Sequence, residues 1–190
     1  TTLFRSVNNI QVNEASPYAV FTVSSTAGQT LKLSLQNDSD AATADATLGV
    51  DTGTQLQYFN GLAWADYVPG TTVAIPSSGQ LLVRTTVKND STYEGAETFQ
   101  LKVDATGGTI VYGTATILDD GTGNIYPDNT TGNVQANPVL DDDRAIKVND
   151  IDVNERSPYG VFTVTATAGQ MLTLDLQNDS DPATANATLG

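Results

Sequence analysis

The sequence predicts an all-β fold, an antiparallel β-sandwich followed by a linker and the opening part of a second module. Three observations predict it. Apolar and polar residues alternate over short runs, no stretch sustains a helical period, and the first part of the chain recurs near its end.

The recurrence sets the domain organisation. Residues 10–49 and 151–190 align without gaps, and 30 of the 40 positions are identical at an offset of 141 residues. That offset is too long for a solenoid repeat and suits a whole domain plus linker. The expected division is a module over residues 1–121, a linker over 122–144, and the N-terminal part of a second copy over 145–190. The chain reads as a piece of a longer array.

The strands follow in order. Ala19, Phe21 and Val23 alternate with Val20 and Thr22, and Leu31, Leu33 and Leu35 with Lys32, Ser34 and Gln36. Segments 56–59 and 62–67 flank Asn60-Gly61, a hairpin signal because both residues tolerate positive φ. A short strand at 73–75 ends at Pro76. Leu81, Val83, Thr85 and Val87 face opposite Arg84 and Lys88. Phe99, Leu101 and Val103 alternate with Gln100, Lys102 and Asp104, and 112–118 closes the set. Seven or more short strands in about 120 residues fit a sandwich with one core. The stretch from Gly121 to about Val139, rich in Gly, Asn, Thr and Pro, reads as a linker or a long ordered loop.

Composition narrows the function. Asp and Glu number 22 against 8 Lys and Arg, a formal charge of −14. Such a surface repels nucleic acid and anionic lipid and suits cations, chiefly calcium. There is no Cys and no His, which excludes disulfides, thiol nucleophiles, imidazole bases and the usual zinc and iron sites. No signal peptide opens the chain, and no run approaches the ~20 apolar residues of a membrane span. Trp64, Tyr58 and Phe59 flank the Asn-Gly hairpin and fit hairpin pairing or, alternatively, a glycan-stacking platform.

The acids concentrate at strand ends. Glu14 follows the first strand, Asp66 precedes Tyr67 and a Pro-Gly turn, Asp90, Glu94 and Glu97 lie in one turn, and Asp119 and Asp120 end the last strand. Asp141, Asp142 and Asp143 precede the second copy. Massed carboxylates at a sandwich tip repel unless a cation neutralises them, and calcium accepts ~6–8 oxygens in irregular geometry. The alternative for these acids is a solvated loop surface, and for Asp141 to Asp143 a charged linker.

The run from Asp66-Tyr67 through Asp90, Glu94-Gly-Ala-Glu97-Thr-Phe99 to Ala115-Thr-Ile-Leu-Asp119-Asp120 resembles a Calx-beta domain, with Glu14 matching the family's early Glu. The resemblance spans about residues 7–121. It implies an immunoglobulin-like seven-stranded sandwich, of the kind found in sodium–calcium exchangers, integrin β4 and bacterial surface proteins. It also implies that these seven acids are calcium ligands. Asn89 and Gly121 stand where exchanger domains carry further acids, which implies one or two ions. The repeat also resembles the extender repeats of giant RTX-type adhesins secreted by the type I route.

The resulting expectation is a structural extender of an extracellular bacterial adhesin or surface fibre, stiffened by calcium and without enzymatic activity. The alternatives are a glycan- or ligand-binding adhesive module and a calcium sensor. Expected partners are adjacent copies of the module, including another chain by strand donation to build a filament. The partial copy exposes Phe162, Val164, Leu172, Leu174 and Leu176, which two or three strands cannot bury alone, so their cover is expected from another chain or from a continuation of the same polymer.

Overall fold

The structure, a computed structural model, describes residues 5–38, 42–105 and 110–178. The first module contains strands β1 (Ser6–Val7), β2 (Ile10–Asn13), β3 (Tyr18–Ser24), β4 (Thr30–Asn37), β5 (Ala44–Asp45) and β6 (Gln57–Phe59). It continues with β7 (Trp64–Asp66), β8 (Val73–Ala74), β9 (Gln80–Thr86), β10 (Glu97–Ala105) and β11 (Ile110–Leu118). The second copy contributes β12 (Lys147–Val148) and β13 (Val164–Thr165). Among the described residues there is no helix.

Two sheets form the sandwich. One has the order β1-β3-β9-β6-β7, the other β2-β11-β10-β4-β8, with β5 beside β10. Most pairs are antiparallel, as the alternation predicts. Two are parallel: β2 with β11, and β5 with β10. A parallel pair needs a long crossover, and here the chain crosses the whole module between β2 and β11.

The period-two pattern decides which side chains meet. Phe21 pairs across the ladder with Val83, and Val23 with Leu81, all four turned inward and buried. The other sheet answers with Leu31, Leu33, Phe99, Leu101, Val103, Ala115 and Ile117. Phe21 and Phe99 meet edge-to-face with centroids 6.0 Å apart, a favoured arrangement for paired rings.

The Asn60-Gly61 turn forms, but only Gly61 has positive φ, at 97°. Asn60 acts through its side chain, whose Oδ1 accepts the N–H groups of Leu62 and Ala63 at 2.9 and 3.0 Å. This is the Asx-type bonding that makes Asn a turn residue.

Segment 122–135 is ordered against the module. Asn124 bridges to Val12 and Tyr126 to Tyr18, and Ile125 and Tyr126 are buried. Gly132 lies over Val20 and Leu82 on the outer face of the first sheet, where a Cβ would stand 3.2 and 3.0 Å from their methyl groups. Arg84, on the face opposite Leu81 and Val83, is therefore buried. Its guanidinium stacks over Tyr18 at 3.7 Å and Trp64 at 4.2 Å and pairs with Asp128 at 2.7 Å. Trp64 donates Nε1–H to the Asn129 carbonyl at 2.6 Å. One face of the Trp64 ring is thus covered by arginine, and Phe59 packs edge-on against it at 5.8 Å.

Candidate metal centre

The end of the sandwich where β2 and β11 finish carries the densest charge. The parallel register brings Asn13 opposite Leu118, so the next residues, Glu14 and Asp119, emerge side by side. The Glu14 N–H donates to the Leu118 carbonyl at 2.9 Å and continues the ladder. Beyond it the chain turns, with Ser16 N–H bonded to the Asn13 carbonyl at 2.9 Å.

Asn13, fully buried, organises this end. Its Nδ2 donates to the carbonyls of Thr122 at 2.9 Å and Asp141 at 3.0 Å, and its Oδ1 accepts the N–H of Asp141 at 2.8 Å. A residue of β2 thereby draws in the stretch that leads to the second copy. Asp119 does the same. Its Oδ1 accepts the Asp143 N–H at 3.1 Å, and its Oδ2 accepts the Glu94 N–H at 3.2 Å. Glu14 Oε1 accepts the Asp90 N–H at 3.0 Å.

Four carboxylates result. Glu14, Asp119, Asp141 and Asp143 each place an oxygen within 4.8 Å of the others. Glu14 and Asp119 are buried to 6 % and 2 % exposure. Asp141 Oδ2 and Asp143 Oδ2 are buried and have no hydrogen-bond partner. Burial pushes the Glu14 carboxyl up to about 7; the Asp90 N–H opposes this, and the charges of Asp119, Asp90 and Asp141 add to it. Asp119 and Asp141 are also raised, chiefly by burial, with neighbouring acids adding. No lysine or arginine is among the causes for these three groups. An unpaired buried carboxylate is costly, so the set needs either protons or a cation.

A second group joins Asp51, Glu94 and Glu97, again with oxygens within 4.8 Å of one another. Glu97 opens β10 and is raised to about 7 by burial first, then by the charges of Asp51 and Glu94. Asp51 is held by the Thr47 N–H at 2.5 Å.

The ten acids singled out from sequence therefore divide. Six enter the two groups: Glu14, Asp119, Asp141 and Asp143 in one, Glu94 and Glu97 in the other. Asp90 lies beside them but serves as a turn residue, its Oδ1 accepting the Thr92 N–H at 2.7 Å. Asp120 likewise accepts the Thr122 N–H at 3.1 Å. Asp142 is bound by Arg144, at 2.6 and 2.7 Å, and its carboxyl is lowered accordingly. Asp66 belongs to the first sheet, on β7, where it accepts from Gln57 Nε2 at 2.9 Å and joins neither group. Sequence reading missed Asp51, which ends no alternating run, and Asn13, whose amide carries no charge to attract notice.

Fold and site together define an all-β sandwich module with an acidic junction to the stretch that follows it. No family model matches the chain, and no curated protein matches it. Among solved structures it is similar to the apo-form Calx CBD1 domain, at 16 % identity and a TM-score of 0.42, over 62 % of this chain and 98 % of that one. It is similar to CBD12 from CALX1.2 at 15 % identity and a TM-score of 0.40, over 63 % of this chain and 44 % of that one. A Bacteroides ovatus GH5 xyloglucanase in complex with a XXXG heptasaccharide follows at 13 % and 0.36, over 62 % and 19 %.

Proposed function

We propose that this chain is part of an extracellular extender, a surface fibre or adhesin stalk of bacterial type built from tandem β-sandwich modules, whose junctions are stiffened by calcium. One observation carries the proposal. Asp141 and Asp143, from the stretch joining the two copies, share a buried carboxylate group with Glu14 and Asp119 of the module, and the oxygens Asp141 Oδ2 and Asp143 Oδ2 have no partner. The donors are hard oxygens, the set calcium prefers over softer sites. Neutralisation there would bind the joining stretch to the module and limit the angle between modules.

The contacts just past the group favour the same reading. Arg144 holds Asp142, and its carbonyl accepts from Gln170 Nε2 of the second copy at 2.8 Å. Rigidity along an array is the function proposed, with no chemistry performed.

Calorimetric titration and thermal melting, with millimolar calcium and with chelator, test this. A ligand that binds only the native state stabilises it by about 2.7 kcal/mol at a hundredfold excess over its Kd. Asp141→Asn with Asp143→Asn is expected to abolish most of the calcium-dependent rise. A melting temperature indifferent to calcium would remove the cation from the account. Small-angle scattering that shows the same spread of module angles with and without calcium would remove the stiffening.

A further inference from the structure

The acidic junction closes a loop. The Gly121 N–H donates to the Asp141 carbonyl at 2.9 Å, Asp120 bridges Asp142 in the antiparallel sense, and Asp119 Oδ1 accepts the Asp143 N–H at 3.1 Å. Asn13 holds both ends, through the Thr122 carbonyl on one side and the N–H and carbonyl of Asp141 on the other. Residues 121 and 141 are thus neighbours, and the chain between them folds back over the module. It is held there by contacts spaced along its length. Gly132 lies over Val20 and Leu82, the Asn129 carbonyl accepts from Trp64, Asp128 pairs with Arg84, and Ile125 and Tyr126 are buried.

A stalk of tandem modules is pulled along its length, and the topology fixes how each pairing meets the load. Load from the N-terminal side reaches β2 at its Ile10 end and leaves the module past Asp143. β2 and β11 are parallel, in register from Ile10 with Ala115 to Asn13 with Leu118. They are loaded at opposite ends of the pair, so the ladder is sheared and its bonds resist together. The pairing of 119–121 with 141–143 is antiparallel, and its loaded residues, Asp119 and Asp143, share one end. It is unzipped, one bond at a time. The contacts behind it, from Gly132 back to Ile125, then meet the load in turn. The weaker geometry lies in series with the stronger and gives way first.

We propose that residues 122–140 are a length reserve, let out under tension when the junction unzips while the sandwich stays folded. That the parent protein bears load rests on the extender reading above; the order of opening rests on the pairing geometry and needs no cation. The 20 steps from residue 121 to residue 141 extend to about 65–70 Å. A cation in the carboxylate group raises the force of release and leaves this length unchanged. The folded sandwich keeps Asn13 and Asp119 in place, so the loop recloses when the load falls.

Single-molecule pulling of the full chain in chelator tests the proposal. One handle is joined to the N terminus and the other to an azide-bearing residue in place of the exposed Ile146, so that the second copy carries no load. The expected record is a first extension totalling about 65–70 Å, followed by about 370–400 Å as residues 6–118 unravel. Asp120→Cys with Asp142→Cys staples the loop, in a chain that has no other cysteine. Residues directly paired in an antiparallel ladder lie within reach of a disulfide. The closed disulfide is expected to remove the first extension and keep the second, and reduction to restore it. A first extension whose force is the same with and without calcium would count against the cation and leave the length reserve standing. The long extension alone in the unstapled protein, or a first extension that survives the closed disulfide, would overturn the proposal.

Discussion

Asn13 and Asp141 hold each other by two reciprocal bonds, the Asp141 N–H to Asn13 Oδ1 at 2.8 Å and Asn13 Nδ2 to the Asp141 carbonyl at 3.0 Å. An amide has a donor and an acceptor at one end of a short side chain, so it can pair with a main chain as another strand would. This places a residue 128 positions away against the end of β2, and the acidic junction follows from it.

Asn13→Ala is accordingly a test of the junction. It removes the partner of the part-buried N–H and carbonyl of Asp141 and of the Thr122 carbonyl, and each such bond contributes about 0.5–1.5 kcal/mol. The expected destabilisation is about 2–4 kcal/mol by denaturant titration, given that the bonds share one network. Asp66→Asn, on an exposed strand outside both carboxylate groups, is expected to stay within about 0.5 kcal/mol of the parent. Equal effects from the two substitutions would deny Asn13 its organising role.

The raised carboxyls make a pH prediction for the calcium-free protein. Glu14 and Glu97 hold their protons to about 7 in the folded chain, against an ordinary 4.5. Between those values the folded state binds more protons than the unfolded one. The contribution to stability is therefore complete below about 4.5 and is lost as pH rises through about 7. In chelator, the melting temperature should fall from pH 5 to pH 8. Calcium requires ionised carboxylates, so the rise that it causes should be larger at pH 8 than at pH 5. Glu97→Gln, which keeps that side chain neutral, should raise the chelated melting temperature at pH 8 and leave it nearly unchanged at pH 5. Flat melting curves across this range would show that burial does not hold these protons.

Much of the sandwich was legible because period two is a local signal. Phe21, Val23, Leu81, Val83, Phe99 and Leu101 declare their face by alternation alone, and all are buried. Alternation says nothing of which strands adjoin, so the parallel pairing of β2 with β11 was not legible, and it is this pairing that sets Glu14 beside Asp119. Nor does a Gly-, Asn- and Thr-rich composition reveal whether a segment packs. Residues 122–135 do so through Ile125, Tyr126 and Gly132, and they bury Arg84. Asp51 was hidden for a related reason, since it meets its partners Glu94 and Glu97 through non-local contacts, the pairing of β5 with β10 and the bridge of Thr52 to Val87.

That packed segment yields the last prediction. Arg84 lies between Tyr18 and Trp64 and bonds Gln57 at 2.9 Å and Asp128 at 2.7 Å. The two partners of the ion pair are not equivalent, because the Arg84 side chain is 5 % exposed and that of Asp128 70 %. The attraction is therefore screened on the Asp128 side, and Asp128→Asn is expected to cost at most about 1 kcal/mol. Removing the guanidinium does more. Arg84→Ala empties the space between two rings and loses both stacking contacts, each worth about 0.5–2 kcal/mol, together with the bond to Gln57. It also uncovers the Trp64 ring, whose Nε1–H anchors Asn129. The expected result is a loss of about 2–4 kcal/mol with a red-shifted tryptophan emission, and faster proteolysis within 122–135. Since Trp64 is the only tryptophan, its emission reports this place alone. An Arg84→Ala protein with unshifted emission and a protease-resistant segment would mean that Ile125, Tyr126 and Gly132 hold the segment without the arginine.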